Sequence, residues 1–305
     1  MPANFLSDLD VYNLHWPARY TPQANWGQSL NYDYESETDP YWYRPTSFAE
    51  IAAAMGDLVK EGKIRGWGMC NDNAYGLAAS CAASRALGVE PPCMLMNDFS
   101  LLNRRIEENG VAEAGSPINE NVGFMAYDVL AGGVLTGKYG LPVLPTSSSP
   151  SSSSSSSSSF SAPRRPPASV DNPDQAEGEK TLRAPRGRMD TFGWGRTLYR
   201  YRSEPALLAA AEYERLARRY GMNLTELSLR WCRERRAVTT ALLGTTSMEQ
   251  LDQDLAYFAT KKDPLPKELL WEIDRVHMKN RLPIFSSTAV GPDWDGEGEI
   301  GERIP

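Results

Sequence analysis

The feature that most constrains the fold is an alternation of short apolar runs with longer segments of helical periodicity. Strands that alternate with helices through short connections pair in parallel, with right-handed crossovers. The pattern therefore predicts an α/β protein built from five strand–helix units. The five strands are expected at residues 8–14, 64–69, 93–96, 122–127 and 238–243.

Several of the predicted helices have recognisable ends. A helix with an apolar stripe begins near Phe48 and is ended by Gly62. An alanine-rich helix over 73–87 is ended by Gly88. Asp72 is the expected N-terminal cap of that second helix. Further helices are predicted over 206–220, 224–235, 248–258 and 267–279.

Residues 141–188 differ from the rest of the chain in composition. They are rich in Ser and Pro, include an unbroken serine run at 151–159, and cannot bury enough apolar area to offset the entropy of ordering. Because periodic sequence resumes on both sides, we expect a disordered loop insertion within one domain formed by 1–140 and 189–285, followed by a tail at 286–305. Two domains joined by a serine-rich linker are the alternative.

Charge and residue usage exclude several classes of protein. The chain has 32 Lys and Arg against 39 Asp and Glu, which disfavours binding to nucleic acid or to an anionic membrane. The most apolar stretch, 122–135, is interrupted by Asp128 and is shorter than the roughly 20 residues that cross a bilayer. Four dispersed cysteines and two histidines give no metal-ligand pattern and suit a reducing compartment. We expect a soluble, cytoplasmic protein that acts on a small molecule, with any targeting segment lying upstream.

Polar side chains follow the predicted strands at their carboxyl ends. They are His15, Asn71, Asp98, Asp128 and Thr245. Parallel barrels and doubly wound sheets both place their active sites at this edge. A closed barrel needs eight strands, so five units indicate either an open sheet or three missing units.

Five motifs, in order, carry a resemblance to a known family. They are DLDVYNLHWP, GKIRGWGMCN, NDFSLLNR, AYDVLAGGVLTGKY and LLGTTSMEQLDQDL. With them the chain resembles the aldo-keto reductases, in the branch of the Tas-like reductases and potassium-channel β-subunits. The resemblance implies a TIM (β/α)8 barrel, here partial with about five βα units, that binds NADPH and reduces aldehydes or ketones.

The resemblance assigns catalytic and cofactor-binding roles. In the family a Tyr donates the proton, a Lys and an Asp tune that Tyr, and a His orients the carbonyl group. His15 matches the His, and the other three have no counterpart here, so we expect the chain to be only the C-terminal part of the active enzyme. The implied cofactor-binding positions are Cys70, Asn71 and Met96 at the carboxamide, Tyr127 on the nicotinamide ring, Asp128, Leu130 and Lys138 near the pyrophosphate, Gly244, Thr246 and Gln250 around the adenosine phosphate, and Gln253 and Asp254 at the adenine.

Five of these positions depart from the family pattern. Gln253 and Asp254 stand where the family has the Glu and Asn that hold the adenine. Cys70 replaces a Ser, Met96 replaces a Gln, and Asp128 replaces a Ser beside the negatively charged pyrophosphate. Cys70 is a weaker donor than a Ser, Met96 cannot make the hydrogen bond of a Gln, and Asp128 adds a like charge. We therefore expect weaker cofactor binding than in a typical member.

Other interpretations of these residues stay open. His15 could be a structural histidine near the rim, and Lys138 a solvated charge. Tyr127 could be an aromatic residue packed in the core. The Trp- and Tyr-rich loop 16–43 suits either a wall of the substrate pocket or a segment packed on the rim. For the whole chain, the alternatives to a reductase are a non-catalytic nucleotide-binding or scaffold protein and an incomplete polypeptide that does not fold stably.

Overall fold

The five predicted strands form one parallel sheet. The computed structural model describes residues 9–19, 21, 46–144, 201, 203–258 and 263–285. Within these ranges the strands follow one another in the order β1-β2-β3-β4-β5, and each neighbouring pair is parallel. They are β1 (Leu9–Leu14), β2 (Ile64–Cys70), β3 (Met94–Asp98), β4 (Gly123–Tyr127) and β5 (Thr240–Ala241). The α/β prediction is confirmed, and the sheet in the described residues is open.

Eight α-helices connect and flank these strands in the described ranges. They are α1 (Phe48–Lys60), α2 (Ala74–Leu87), α3 (Arg105–Glu108), α4 (Val111–Ala114), α5 (Glu204–Arg219), α6 (Leu224–Arg233), α7 (Met248–Phe258) and α8 (Lys267–Lys279). Two 3-10 segments, Ala131–Thr136 and Pro283–Phe285, complete the regular structure there. None of the helices in this part of the chain is long and apolar enough to cross a membrane.

Local side-chain chemistry explains where α2 begins and ends. The side chain of Asn73 accepts a hydrogen bond from the Gly76 N–H at 3.0 Å, which makes Asn73 the N-terminal cap. The prediction that Asp72 caps this helix is therefore wrong, because Asp72 lies one residue too early and its carboxylate pairs with Arg19. At the other end Gly88 adopts the left-handed conformation, as predicted.

One face of the sheet packs against the helices and forms the core. The register aligns Met69 with Leu95 and Leu95 with Phe124, and all three side chains are buried. Phe99, which follows β3, stacks on Trp231 of α6 with ring centroids 5.2 Å apart. The helices thus cover this face with a continuous apolar layer.

The opposite face is lined by methionines. Met94 and Met96 on β3 and Met125 on β4 share this face and are half-buried, whereas the core residues beside them are fully buried. Val11 at the β1 edge is 37% exposed. This face corresponds to the interior of a closed barrel, where side chains from all strands fill the centre.

Some of the sequence predictions fall on residues outside the described ranges. These include most of the serine-rich insertion, most of the aromatic loop and the C-terminal tail, so the domain boundaries remain predictions. β5 is shorter than expected at two residues, although the Thr239 and Leu242 N–H groups also bond to carbonyls of β4.

Candidate functional site

Three of the predicted site residues meet at the carboxyl end of the sheet. Asn71, directly after β2, has a φ of 60° that turns its side chain across the strand ends. Its amide donates to the His15 carbonyl oxygen at 2.9 Å, and its side-chain oxygen accepts from the Tyr127 hydroxyl at 2.5 Å. The backbone N–H of Asn71 donates to the Met96 carbonyl at 2.9 Å. Asn71 therefore links the ends of four strands.

His15 takes part in this group through its backbone carbonyl. The residue is exposed, and its ring centroid is 5.7 Å from that of Trp16. The hydrogen bond from Asn71 holds the backbone of His15 and does not involve its imidazole ring. This arrangement suits a side chain that meets a substrate.

Cys70 and Met96 offer little hydrogen bonding to a ligand. Cys70 is buried, and that burial raises the pKa of its thiol to about 12, so the sulfur stays protonated at neutral pH. A thiol is a weaker donor than the hydroxyl it replaces, and a thioether is only a weak acceptor. Of the three positions that the resemblance assigns to the carboxamide, Asn71 therefore has the strongest hydrogen-bonding side chain.

The chain after β4 forms a tight turn beneath Lys138. Gly132 and Gly133 have φ values of 60° and 96°, and the Gly133 N–H donates to the Leu130 carbonyl at 2.8 Å. A Cβ on Gly133 would lie 2.9 Å from the Lys138 ammonium nitrogen, so the lysine side chain packs closely over Gly133. A turn without side chains under a cation is a surface that suits an anionic group.

Two carboxylates at this edge meet a tyrosine that sequence reasoning missed. Tyr201 is fully buried, and its hydroxyl donates to Asp98 at 2.5 Å and lies 3.4 Å from a carboxylate oxygen of Asp128. Arg105, whose pKa is lowered by burial, interacts electrostatically with Asp98. The Tyr201 hydroxyl therefore brings the Asp98 and Asp128 carboxylates together at this edge of the sheet.

The predicted adenosine positions lie after β5 and on α7. Gly244 and Thr246 are exposed, and the side-chain oxygen of Gln250 accepts hydrogen bonds from the N–H and the hydroxyl of Thr246, both at 3.0 Å. Gln253 is exposed and donates to the Tyr257 hydroxyl at 3.0 Å. Asp254 is buried, which raises the pKa of its carboxyl group. Of these positions, Gly244, Thr246, Gln250 and Gln253 present groups at the surface.

Known proteins resemble this chain over most of its length. A model of the aldo/keto reductase family matches residues 5–277. An aldo-keto reductase of Babesia bovis is 27% identical over 279 residues, which cover 90% of this chain and 82% of the relative. Protein tas of Escherichia coli strain K12 is 27% identical over 275 residues, covering 90% of this chain and 63% of that protein. Aflatoxin B1 aldehyde reductase member 2 of Mus musculus is 26% identical over 243 residues, covering 75% of this chain and 54% of that protein.

The chain thus spans less than two thirds of the length of two of these three relatives. The range matched by the family model, 5–277, spans all five motifs, and the parallel sheet has the strand order of consecutive units in a TIM barrel. On this evidence the chain belongs to the aldo/keto reductase family, whose members are oxidoreductases.

Proposed function

We propose that this protein is an NADPH-dependent oxidoreductase that reduces aldehydes or ketones by hydride transfer. The observation that carries the proposal is the hydrogen-bonded group in which Asn71 joins His15 to Tyr127 at the carboxyl end of the sheet. Active sites of parallel barrels lie at this edge. The sequence resemblance assigns the same three residues to the carbonyl, the carboxamide and the nicotinamide ring.

The residues around this group fit a nicotinamide dinucleotide. The turn at Gly133, where a Cβ would collide with Lys138, leaves backbone and an ammonium group for the pyrophosphate. Asn71 would hold the carboxamide, and the Tyr127 ring would cover one face of the nicotinamide. The cofactor, when bound, supplies the hydride. His15 would orient the carbonyl oxygen of the substrate by hydrogen bonding.

The second part of the proposal is that the active enzyme needs three further strand–helix units beside this sheet. Its support is the open sheet of the described residues, with β1 and β5 at the edges and a half-buried face of methionines. Parallel sheets are normally covered on both faces. The Tyr that donates the proton, with its Lys and Asp, would come from those additional units.

The alternative is a non-catalytic nucleotide-binding or scaffold protein. The observation that favours it is the poor donor set at the carboxamide, where Cys70 is a buried thiol with a pKa of about 12 and Met96 has no donor. Such a site would bind the cofactor weakly and report on its concentration without turnover.

Binding and turnover measurements separate these functions. The 305-residue chain is titrated into NADPH and NADH, with nicotinamide fluorescence as the signal, and is then assayed with nitrobenzaldehyde. We expect weak NADPH binding and background turnover from the chain alone. Turnover should rise by orders of magnitude when a polypeptide with three additional βα units is supplied, and His15→Ala should reduce it again.

Each outcome bears on a different part of the proposal. Fast turnover by the chain alone would contradict the need for further units. Binding without turnover in the completed protein would favour the scaffold function. Failure of both dinucleotides to bind would refute the assignment of the cofactor site.

A further inference from the structure

An ion pair lies directly behind the candidate site. The two terminal nitrogens of Arg19 donate to the two carboxylate oxygens of Asp72, at 2.9 and 2.5 Å. The Asp72 side chain is 1% exposed and that of Arg19 is 17% exposed. A two-pronged contact between these planar groups fixes their relative orientation as well as their distance.

The guanidinium group contacts three further residues besides Asp72. It lies over the Phe48 ring at 5.1 Å and the Tyr75 ring at 5.8 Å, and it donates to the Asn73 side chain at 3.2 Å. Gly76 lies beneath the pair, and a Cβ there would overlap both the Asp72 carboxylate and the Arg19 guanidinium. The first turn of α2 is thus shaped to receive this ion pair.

Each partner of the pair is a near neighbour of a site residue in the chain. Arg19 follows His15 by four residues, and Asp72 is the residue after Asn71. The Asp72 carbonyl also accepts a hydrogen bond from Asn97 at 2.9 Å, which ties its backbone to the end of β3. The pair therefore connects the loop that carries His15 to the turn that carries Asn71.

We propose that Arg19 is a positioning residue for the reaction. Through Asp72 it holds the His15 loop against the Asn71 turn, so that the carbonyl-orienting imidazole keeps a fixed position relative to the nicotinamide carboxamide. The role in catalysis rests on the proposed function, whereas the effect on His15 is a property of the chain without cofactor.

An ordinary structural ion pair would have a different consequence. Breaking a buried pair leaves an uncompensated charge and destabilises a protein wherever the pair lies. A positioning pair must in addition change the surroundings of His15 while the protein remains folded. The measurement must therefore observe His15 itself.

The chain offers a direct probe, because it contains only two histidines, His15 and His277. The imidazole carbon–proton resonances of both are recorded by NMR without cofactor, and His15→Ala assigns the two signals. In Arg19→Ala we expect the His15 signal to shift and to broaden at least twofold, with the His277 signal unchanged. Arg19→Lys keeps the charge but loses the planar fork, so it should restore the signal only in part.

Two further variants make the comparison specific. Gly76→Ala pushes the pair apart by steric overlap without removing a charge, and it should reproduce the His15 change. Arg65→Ala is the matched control. Arg65 on β2 forms an exposed ion pair with Asp10 on β1 at 2.9 Å, and these are the strands that precede Asp72 and Arg19 in the chain. That variant should leave the His15 signal as in the unmodified chain.

The outcomes decide the proposal in each case. An unchanged His15 signal in folded Arg19→Ala or Gly76→Ala would overturn it. Unfolding of Arg19→Ala, Arg19→Lys and Gly76→Ala alike, with Arg65→Ala folded, would also overturn it and make the pair a determinant of folding. Addition of NADPH then tests the proposed function separately. If NADPH leaves both histidine signals unchanged, the proposed function is contradicted, whereas the positioning of His15 by Arg19 is not.

Discussion

The Tyr127 hydroxyl donates a hydrogen bond to the side-chain oxygen of Asn71 across 2.5 Å. The two residues end strands β4 and β2, which are separated by β3, so this bond spans the middle of the sheet. It fixes which end of the Asn71 amide faces His15, since the nitrogen donates to the His15 carbonyl and the oxygen is already occupied. The orientation of the proposed carboxamide site therefore depends on a tyrosine that contacts it from a distant strand.

Tyr127→Phe tests this dependence while it retains the aromatic ring. We expect NADPH affinity to fall about threefold to tenfold, because a neutral hydrogen bond contributes about 0.5–1.5 kcal/mol. Fluorescence titration with NADPH gives the dissociation constant. Tyr220→Phe is the control, since Tyr220 follows α5 and its hydroxyl bonds to Glu272 on α8 at 3.4 Å, and its affinity should equal that of the unmodified chain. Equal affinities in all three proteins would contradict the role of the Tyr127 hydroxyl.

The four cysteines should differ sharply in reactivity. Burial raises the pKa of the Cys70, Cys81 and Cys232 thiols to about 12, while Cys93 is exposed and also has a raised pKa. The thiolate is the reactive form, so we expect an alkylating agent under native, mildly alkaline conditions to modify Cys93 first. Peptide mass spectrometry locates the label, and Cys93→Ser should remove the rapid phase. Rapid labelling of Cys70 would show that the strand end opens more readily than this packing implies.

Two glycines of β2 provide a matched pair for the packing of the sheet. A Cβ on Gly68 would overlap the Asn13 side chain and the Met94 carbonyl, whereas a Cβ on Gly66 would lie 3.3 Å from the Cys93 sulfur. We expect Gly68→Ala to lower the free energy of unfolding by about 1–3 kcal/mol, because a crowded backbone cannot move aside. Gly66→Ala should be close to neutral. Urea denaturation followed by circular dichroism measures both, and equal midpoints would contradict the close approach at Gly68.

Periodicity was sufficient to predict the longer regular elements. Helices α7 and α8 begin and end at the predicted residues, because their apolar stripes are long enough to show the repeat. The four-residue helices α3 and α4 were missed, since one turn contains no repeat to detect. β5 is shorter than the apolar run that predicted it, because apolar residues continue past the last backbone pairing.

The site could be predicted only where it follows strand ends. His15, Asn71 and Tyr127 come directly after or at the end of apolar runs, and the parallel topology brings them together. Tyr201 and Arg19 lie on connections, and their partners are 103 and 53 residues away in sequence. No local pattern marks such pairs, because they form only when the whole sheet is assembled.

His277 is buried on α8, and its ring nitrogen lies 2.6 Å from a carboxylate oxygen of Glu108. Burial lowers the pKa of this imidazole below its ordinary value of 6.5, the positive charges of Arg104 and Arg281 act in the same direction, and Glu108 opposes them. At higher pH the ring is neutral in both the folded and the unfolded chain, so it adds no pH dependence there.

As the pH falls through 6.5, the unfolded chain binds a proton at His277 before the folded chain does, and the free energy of unfolding decreases. The decrease is about 1.4 kcal/mol for each pKa unit between the two states, and it is complete below the folded pKa. His277→Gln keeps a donor for Glu108 and does not titrate, so its stability should fall less between about pH 7.5 and pH 5 than that of the unmodified chain. Urea denaturation across this range measures both proteins, with His15→Gln as the control for an exposed histidine. A steeper loss of stability in His277→Gln than in the unmodified chain would mean that the attraction of Glu108 outweighs burial and that the folded chain holds the proton more tightly.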